Sequence, residues 1–182
     1  MRCFIAVDIS ATALNQIKGL LVKLGKAGVA GVRWVKPFRM HLTLAFLGEV
    51  SLDFVTSVKE CLPRAVAGFG PFSCRLNGIG AFPSRHRARV VWVGMDKGTD
   101  ELCELQKRIA KELEKIGYRP ERRPFSPHLT LGRLRFPADV TGVSEIRFQS
   151  DGFEIDRLIL FQSVLKPEGP EYSRLAEFKL RS

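Results

Sequence analysis

One tetrapeptide, His-Leu-Thr-Leu, occurs twice in the chain, at residues 41–44 and at residues 128–131. The chain contains only three histidines, and two of them begin these segments. With ordinary residue frequencies, identity at the three positions after both histidines has a chance probability on the order of one in a thousand. The second copy lies 87 residues after the first, so the sequence predicts an internal duplication.

The predicted helices and strands support this duplication. Apolar residues at three- and four-residue steps predict three helices. These helices follow Ser10, Ser51 and Thr99 and are stopped by Gly25, Pro63 and Gly117, respectively. Short runs rich in β-branched and aromatic residues predict strands at 4–9, 32–35, 41–47, 72–79, 90–95, 128–134, 153–165 and 175–180. A shift of 87 residues places the first helix on the third and the first strand on the fifth.

The duplication is imperfect. When the second helix is shifted by the same 87 residues, it falls on residues 138–150, where Gly142 and sparse apolar residues argue against a comparable helix. The patterns predict one compact α+β domain over residues 1–182. In this bilobal arrangement, two pseudo-symmetric strand-helix-strand lobes carry one tetrapeptide each. Their antiparallel sheets line a central cleft between them.

The chemistry of the tetrapeptide follows from the alternation of side chains along a strand. His41 and Thr43 share one face, and His128 and Thr130 repeat this arrangement, while the leucines face the core. Imidazole titrates near neutral pH, and a threonine hydroxyl can donate a hydrogen bond to a phosphate oxygen. Two such pairs across a cleft suit in-line displacement at phosphorus, with one histidine activating the attacking oxygen and the other protonating the leaving oxygen. This chemistry needs no metal and no cofactor.

A purely structural role or a metal site accounts less well for the two motif histidines. A lone histidine on a strand is usually a hydrogen-bonded structural residue, but core packing would not repeat His and Thr on the outward face of both copies. A zinc site would need further ligands, and no Asp or Glu recurs at a matching spacing. His86 has no histidine counterpart in the other copy and is expected in a loop.

Composition narrows the range of partners. The net charge is +10, and 18 of the 29 basic residues are arginines, the side chain suited to bidentate phosphate binding. This balance favours a polyanion such as RNA over a membrane surface, since no long amphipathic basic helix and no apolar span is present. The four cysteines lie singly in apolar segments and are expected to be reduced and mostly buried. A cytoplasmic location is expected.

The sequence resembles the two-histidine phosphoesterase superfamily, and specifically the RNA 2′,3′-cyclic phosphodiesterases historically named 2′-5′ RNA ligases. The resemblance covers nearly the whole chain. It is carried by the segments Arg2–Ile9, Arg33–Val35, His41–Glu49, Val90–Gly94, Pro127–Arg133 and Gln162–Leu165, with Gly169, Pro170 and Tyr172. A single H-x-T-x segment is a weak signal, but two in this order and context are strong. The resemblance implies hydrolysis of a terminal 2′,3′-cyclic phosphate to a 2′-phosphate.

The resemblance also implies roles for individual residues. His41 would be the proton donor to the departing 3′ oxygen, and His128 would be the proton acceptor that activates water. Thr43 and Thr130 would hold the phosphate oxygens. The substrate would be RNA with a 2′,3′-cyclic phosphate end, including tRNA fragments, or a nucleotide, and the protein would act as a monomer.

Two further substrate-binding residues follow from position. In the family, an arginine five positions after the second motif's histidine contacts phosphate; Arg133 fits, and Phe46 holds the equivalent place in the first copy. Strict alternation would put Arg133 on the face opposite to His128, so contact requires a twist, a bulge or a strand end near Gly132. Three phenylalanines are candidates for stacking on a base, although one or more are expected in the core: Phe38, Phe46 and Phe125.

Two alternatives to the hydrolase stay open at this point. The first is a noncatalytic module that holds RNA ends in a basic cleft. The second is a physiological 2′-5′ RNA ligase, since the same two imidazoles serve both directions of the reaction. The second His-Thr pair favours an enzyme, and the high concentration of water favours hydrolysis, with ligation possible in vitro.

Overall fold

The computed structural model describes residues 1–28, 30–120 and 123–182. It contains nine strands and four helices within these ranges. The strands are β1 (Arg2–Val7), β2 (Val32–Trp34), β3 (Leu42–Glu49), β4 (Phe72–Phe82), β5 (Ala88–Lys97), β6 (Leu129–Ala138), β7 (Phe153–Ile155), β8 (Arg157–Lys166) and β9 (Gly169–Lys179). The helices are α1 (Ala11–Lys26), α2 (Leu52–Val66), α3 (Thr99–Glu114) and the short α4 (Thr141–Ser144), with 3₁₀ turns at Pro37–Arg39 and Arg85–Arg87.

Helices α1 and α2 begin where the sequence predicts, and α3 begins one residue earlier than predicted, at Thr99. The side chain of Ser10 accepts a hydrogen bond from the backbone N–H of Ala13, and Ser51 caps α2 in the same way. The predicted end of α2 at Pro63 is wrong, because the helix continues to Val66. Proline removes one backbone hydrogen bond, but the buried side chains around it keep the last turn packed against the core.

The strands form two antiparallel sheets. One sheet has the order β3-β1-β8-β9 and the other the order β2-β6-β5-β4-β7. The motif-bearing strands β3 and β6 pair with β1 and β5, respectively. The later strand of each half, β4 or β8, joins the sheet of the opposite half. Each sheet is therefore built from both halves of the chain, and the predicted α+β, pseudo-two-fold fold class is confirmed.

The single strand predicted at residues 153–165 is wrong. The structure divides it at Asp156 into β7, which pairs with β4, and β8, which pairs with β1. The two pieces lie in different sheets, so the chain crosses between the sheets at this residue. The carbonyl of Asp156 accepts the backbone N–H of Leu180, and its carboxylate pairs with Arg157.

The four motif leucines anchor both motif strands in the main core. They are at most 3% exposed: Leu42, Leu44, Leu129 and Leu131. The other face of β1 and β8 carries a smaller apolar cluster formed by Phe4, Ala6, Ile159 and Phe161, with Tyr172 packed against it. The predicted alternation of the tetrapeptide thus separates a leucine face from a second, outward face.

The remaining expectations about the chain concern cysteines and membranes. All four cysteines are free thiols, three of them buried, which confirms the prediction of reduced, mostly buried side chains. Among the described residues, no helix is long and apolar enough to cross a bilayer.

Candidate active site

A cleft of about 900 Å³ contains the outward residues of both motifs. Its lining includes His41 and Thr43 from the first motif and His128 and Thr130 from the second. All four side chains are half-buried, between the leucines of the core and the surface. The fold thus brings together two His-Thr pairs that lie 87 residues apart in the sequence.

A β-bulge occurs at the same place in both motif strands. The extra residue is Leu44 in β3, where the pairing with β1 shifts by one residue. In β6 it is Leu131, 87 positions later, where the pairing with β5 shifts. A bulge reverses the alternation of side chains beyond it. Phe46 and Arg133 therefore return to the face that carries the histidines, and both line the cleft.

The ring of His41 lies on the small apolar cluster of the four-stranded sheet. It stacks on Phe4, with ring centroids 4.5 Å apart, and on Phe161 at 5.6 Å. The ring of Tyr172 meets it edge-on at 5.0 Å. Burial lowers the pKa of His41 to about 4, because this apolar surface disfavours the charged imidazolium. The ring is therefore neutral at pH 7 unless a negative charge lies beside it.

The ring of His128 is held by the backbone. Its Nδ1 lies 2.8 Å from the carbonyl oxygen of Ser126, which can only accept a hydrogen bond. The proton of the neutral ring is therefore assigned to Nδ1, which leaves a lone pair on Nε2. The ring of Phe82 contacts His128 edge-on, with centroids 5.1 Å apart.

Arg133 and Phe46 differ in their surroundings. Arg133 is exposed, and its charge acts on the Tyr172 hydroxyl of the opposite sheet. Burial raises the pKa of Tyr172, while the nearby Arg133, Arg39 and Arg2 oppose that rise. Phe46 is 55% exposed, and its carbonyl accepts a hydrogen bond of 3.0 Å from the Tyr118 hydroxyl.

The other aromatic candidates and the third histidine have different locations. Phe125 lines the cleft and also packs against the core. Phe38 is 73% exposed and is not part of the cleft lining. His86 lies in the 3₁₀ turn before β5, where its Nδ1 is 3.1 Å from a carboxylate oxygen of Asp139. It is not part of the cleft lining either.

Several cleft residues were missed by the sequence reasoning. They include Arg89, Tyr118, Arg123 and the Ser126 carbonyl that holds His128. Residues 119–126, shortly before the second motif, include three Arg, two Pro and the aromatic Phe125. That composition was the available signal for a binding segment.

Within residues 1–28, 30–120 and 123–182, no three His, Cys, Asp or Glu side chains are grouped so that they could hold a metal ion. The zinc alternative therefore has no ligand set in those ranges.

Comparison with known proteins identifies the family. The family model "LigT like Phosphoesterase" matches residues 7–92 and matches a second time at residues 93–172. The chain belongs to the LigT-like phosphoesterase family. The resemblance inferred from the motifs is confirmed, and the two matched segments correspond to the two halves of the duplication.

Relatives of similar length support the assignment to this family. The chain is 37% identical over 179 residues to an RNA 2′,3′-cyclic phosphodiesterase of Thermotoga maritima, covering 97% of this chain and 94% of the relative. It is 36% identical over 182 residues to one of Archaeoglobus fulgidus, covering 98% and 100%. The crystal structure of E. coli LigT complexed with 3′-AMP superimposes with a TM-score of 0.79 at 25% identity, covering 100% of this chain and 98% of that chain.

Proposed function

We propose that the protein is a hydrolase that opens the 2′,3′-cyclic phosphate at an RNA end and leaves a 2′-phosphate. The observation that carries this proposal is the convergence of His41, Thr43, His128 and Thr130 on one cleft. The relatives named RNA 2′,3′-cyclic phosphodiesterase support the substrate class. The basic composition of the chain suits a polyanionic substrate.

The proposed reaction begins at His128. Its Nδ1–H donates to the Ser126 carbonyl, so Nε2 is free to take a proton from water. The water oxygen attacks phosphorus, and a new P–O bond forms while the bond from phosphorus to O3′ breaks. His41 donates a proton to the departing O3′, so His128 gains one proton while His41 loses one. The product carries a 3′-hydroxyl and a 2′-phosphate.

The low pKa of His41 is compatible with its role as the acid. In the apolar cluster its pKa is about 4, so the ring acquires its proton only when a negative charge offsets the burial. An anionic phosphodiester beside the ring supplies that charge. Binding of substrate and protonation of His41 are therefore coupled.

The remaining cleft residues hold the substrate. The hydroxyls of Thr43 and Thr130 donate hydrogen bonds to the non-bridging phosphate oxygens. Arg133 adds a positive charge on the same face, and Phe46 offers an exposed ring for the terminal base. With an RNA 5′-hydroxyl in place of water, the same displacement of O3′ would form a 2′-5′ linkage at the same residues.

The test is the product formed from an oligoribonucleotide that ends in a 2′,3′-cyclic phosphate. Mass spectrometry detects the addition of one water, phosphorus NMR distinguishes the isomeric 2′- and 3′-phosphates, and we expect the 2′-phosphate. A 3′-phosphate would overturn the assignment of O3′ as the leaving group. Binding without turnover would favour the noncatalytic RNA-end-binding module.

A further inference from the structure

Two arginines lie directly opposite each other at the edge of the five-stranded sheet. The antiparallel pairing of β2 with β6 places Arg33 across from Arg133. Directly opposed residues share a face and have Cβ atoms about 5 Å apart, so two like charges there repel each other. Both side chains are exposed. This pairing places a second cation beside the arginine that lines the cleft.

Neither of these arginines is neutralised by a carboxylate in the part of the chain that the structure describes. Within those ranges, the arginines that form ion pairs are others: Arg64, Arg75, Arg108, Arg157 and Arg174. An anion between Arg33 and Arg133 would turn the repulsion into two attractions. The Arg33–Arg133 pair is therefore suited to a phosphate group.

An exposed aromatic ring lies next along the chain. Phe38 is 73% exposed, in the 3₁₀ turn just before the first motif. Lys36 Nζ lies 5.9 Å and Arg39 Cζ 5.3 Å from its ring centroid. The guanidinium of Arg39 also donates a 2.9 Å hydrogen bond to the carbonyl of Glu168, in the turn between β8 and β9. The ring is thus flanked by two cations, one of which is attached to the other sheet.

These residues form a strip outside the cleft, which we term the β2 edge strip: Arg33, Lys36, Phe38 and Arg39. None of the four is part of the cleft lining, whereas Arg133, opposite Arg33, is. Cations beside an exposed aromatic ring are the features with which proteins bind single-stranded nucleic acid. Phosphate contacts supply affinity, and stacking accepts any base.

We propose that the β2 edge strip binds the nucleotide on the 5′ side of the cyclic phosphate end, an inference that rests on the proposed function. The terminal nucleotide occupies the cleft. Arg33 binds the phosphate that joins the last two nucleotides, and the ring of Phe38 stacks on the penultimate base. The strip makes the enzyme prefer an RNA strand over a single cyclic nucleotide.

The test compares kcat/KM for a pentaribonucleotide ending in a 2′,3′-cyclic phosphate with kcat/KM for a mononucleoside 2′,3′-cyclic phosphate. We expect the ratio of kcat/KM for the pentaribonucleotide to kcat/KM for the mononucleotide to fall about tenfold in both Phe38→Ala and Arg33→Ala. This is the scale of one stacked base or one phosphate contact. An unchanged ratio in both variants would overturn the proposal.

Two matched control residues lie elsewhere on the surface. Phe136 is 71% exposed and also has an arginine, Arg135, 5.4 Å from its ring centroid, but it lies beyond Leu134, where the pairing of β6 with β2 ends. Arg147 is exposed near β4, away from the β2 edge. Phe136→Ala and Arg147→Ala should leave the ratio within twofold of the wild type. A drop equal to that of Phe38→Ala would show that RNA binding is not specific to the β2 edge strip.

Binding separates this proposal from the proposed function. Fluorescence anisotropy with a labelled pentaribonucleotide ending in a 2′-phosphate needs no turnover. If the wild type hydrolyses neither substrate, the proposed function fails, and the anisotropy measurement still shows whether the β2 edge strip binds RNA. About tenfold weaker binding by Phe38→Ala, but not by Phe136→Ala, supports the strip, and equal binding by all three proteins overturns it.

Discussion

The two sides of the cleft carry the same tetrapeptide on strands with the same bulge, yet they hold their histidines differently. His41 lies on Phe4 and Phe161, where burial lowers its pKa to about 4. His128 is oriented by a hydrogen bond from Nδ1 to the Ser126 carbonyl. Desolvation thus lowers the pKa of His41, whereas a directed hydrogen bond fixes the orientation of the His128 ring. A duplicated motif thus places two histidines in different environments, because the neighbours are not duplicated.

The same contrast holds for the residues five positions after each histidine. Both bulges turn that residue into the cleft, but it is the aromatic Phe46 on one side and the cationic Arg133 on the other. A symmetric scaffold therefore presents an asymmetric surface, as an asymmetric ligand requires. A nucleotide has a flat apolar base at one end and an anionic phosphate at the other.

The largest effect is expected from removing either histidine. His41→Ala and His128→Ala should each lower turnover of a cyclic-phosphate oligonucleotide by about 10²- to 10⁴-fold, the usual contribution of a positioned proton-transfer group. His86→Ala is the control, since this exposed histidine pairs with Asp139 outside the cleft lining. Steady-state kinetics checks the rates and circular dichroism checks the fold. Wild-type turnover in either cleft variant would remove that histidine from the mechanism.

The apolar surroundings of His41 should make folding stability depend on pH. The unfolded chain protonates this ring below about pH 6.5, but the folded protein does so only near pH 4. Between these values the unfolded state binds more protons, so folding stability falls as the pH falls. The difference amounts to about 3 kcal/mol. Urea denaturation of the wild type and of His41→Leu between pH 7 and 4 should show a flatter profile in the variant, and identical slopes would contradict the burial argument.

Inorganic phosphate is expected to distinguish the roles of Arg133 and Phe46. Arg133→Ala should raise the inhibition constant of phosphate by about 10- to 100-fold, the scale of a charge-assisted hydrogen bond. Phe46→Ala should leave that constant nearly unchanged, because the ring binds no anion. Arg135→Ala is a charge-matched control on the same strand. Competitive inhibition assays decide this prediction, and equal effects of Arg133→Ala and Arg135→Ala would make Arg133 an ordinary surface charge.

The smallest effects are expected from substitution of the threonines, which occur at the same position on both sides of the cleft. Thr43→Val and Thr130→Val keep the side-chain shape and remove one hydroxyl each. Loss of one hydrogen bond to phosphate should lower kcat/KM by about three- to tenfold in each variant. Similar losses would show that both sides hold the phosphate. A loss confined to one variant would show that only one side does.

Much of the local structure could be predicted from the sequence. The helix starts at Ser10 and Ser51 follow from serine capping, and the buried motif leucines follow from strand alternation. These features depend on neighbours within a few residues. The extension of α2 beyond Pro63 and the division of the predicted strand at Asp156 depend on which distant segments pack or pair there. Local patterns do not contain that information.

Strand alternation within each tetrapeptide is enough to predict that the two His-Thr pairs share outward faces, and the sequence shows an arginine after the second pair. How these groups meet depends on the folded chain, since the bulges at Leu44 and Leu131 exist only relative to the partner strands β1 and β5. The environment of His41 also depends on folding, because its aromatic neighbours come from β1, β8 and β9. Desolvation and strand pairing are properties of surfaces assembled from distant residues, so they arise only when the chain has folded.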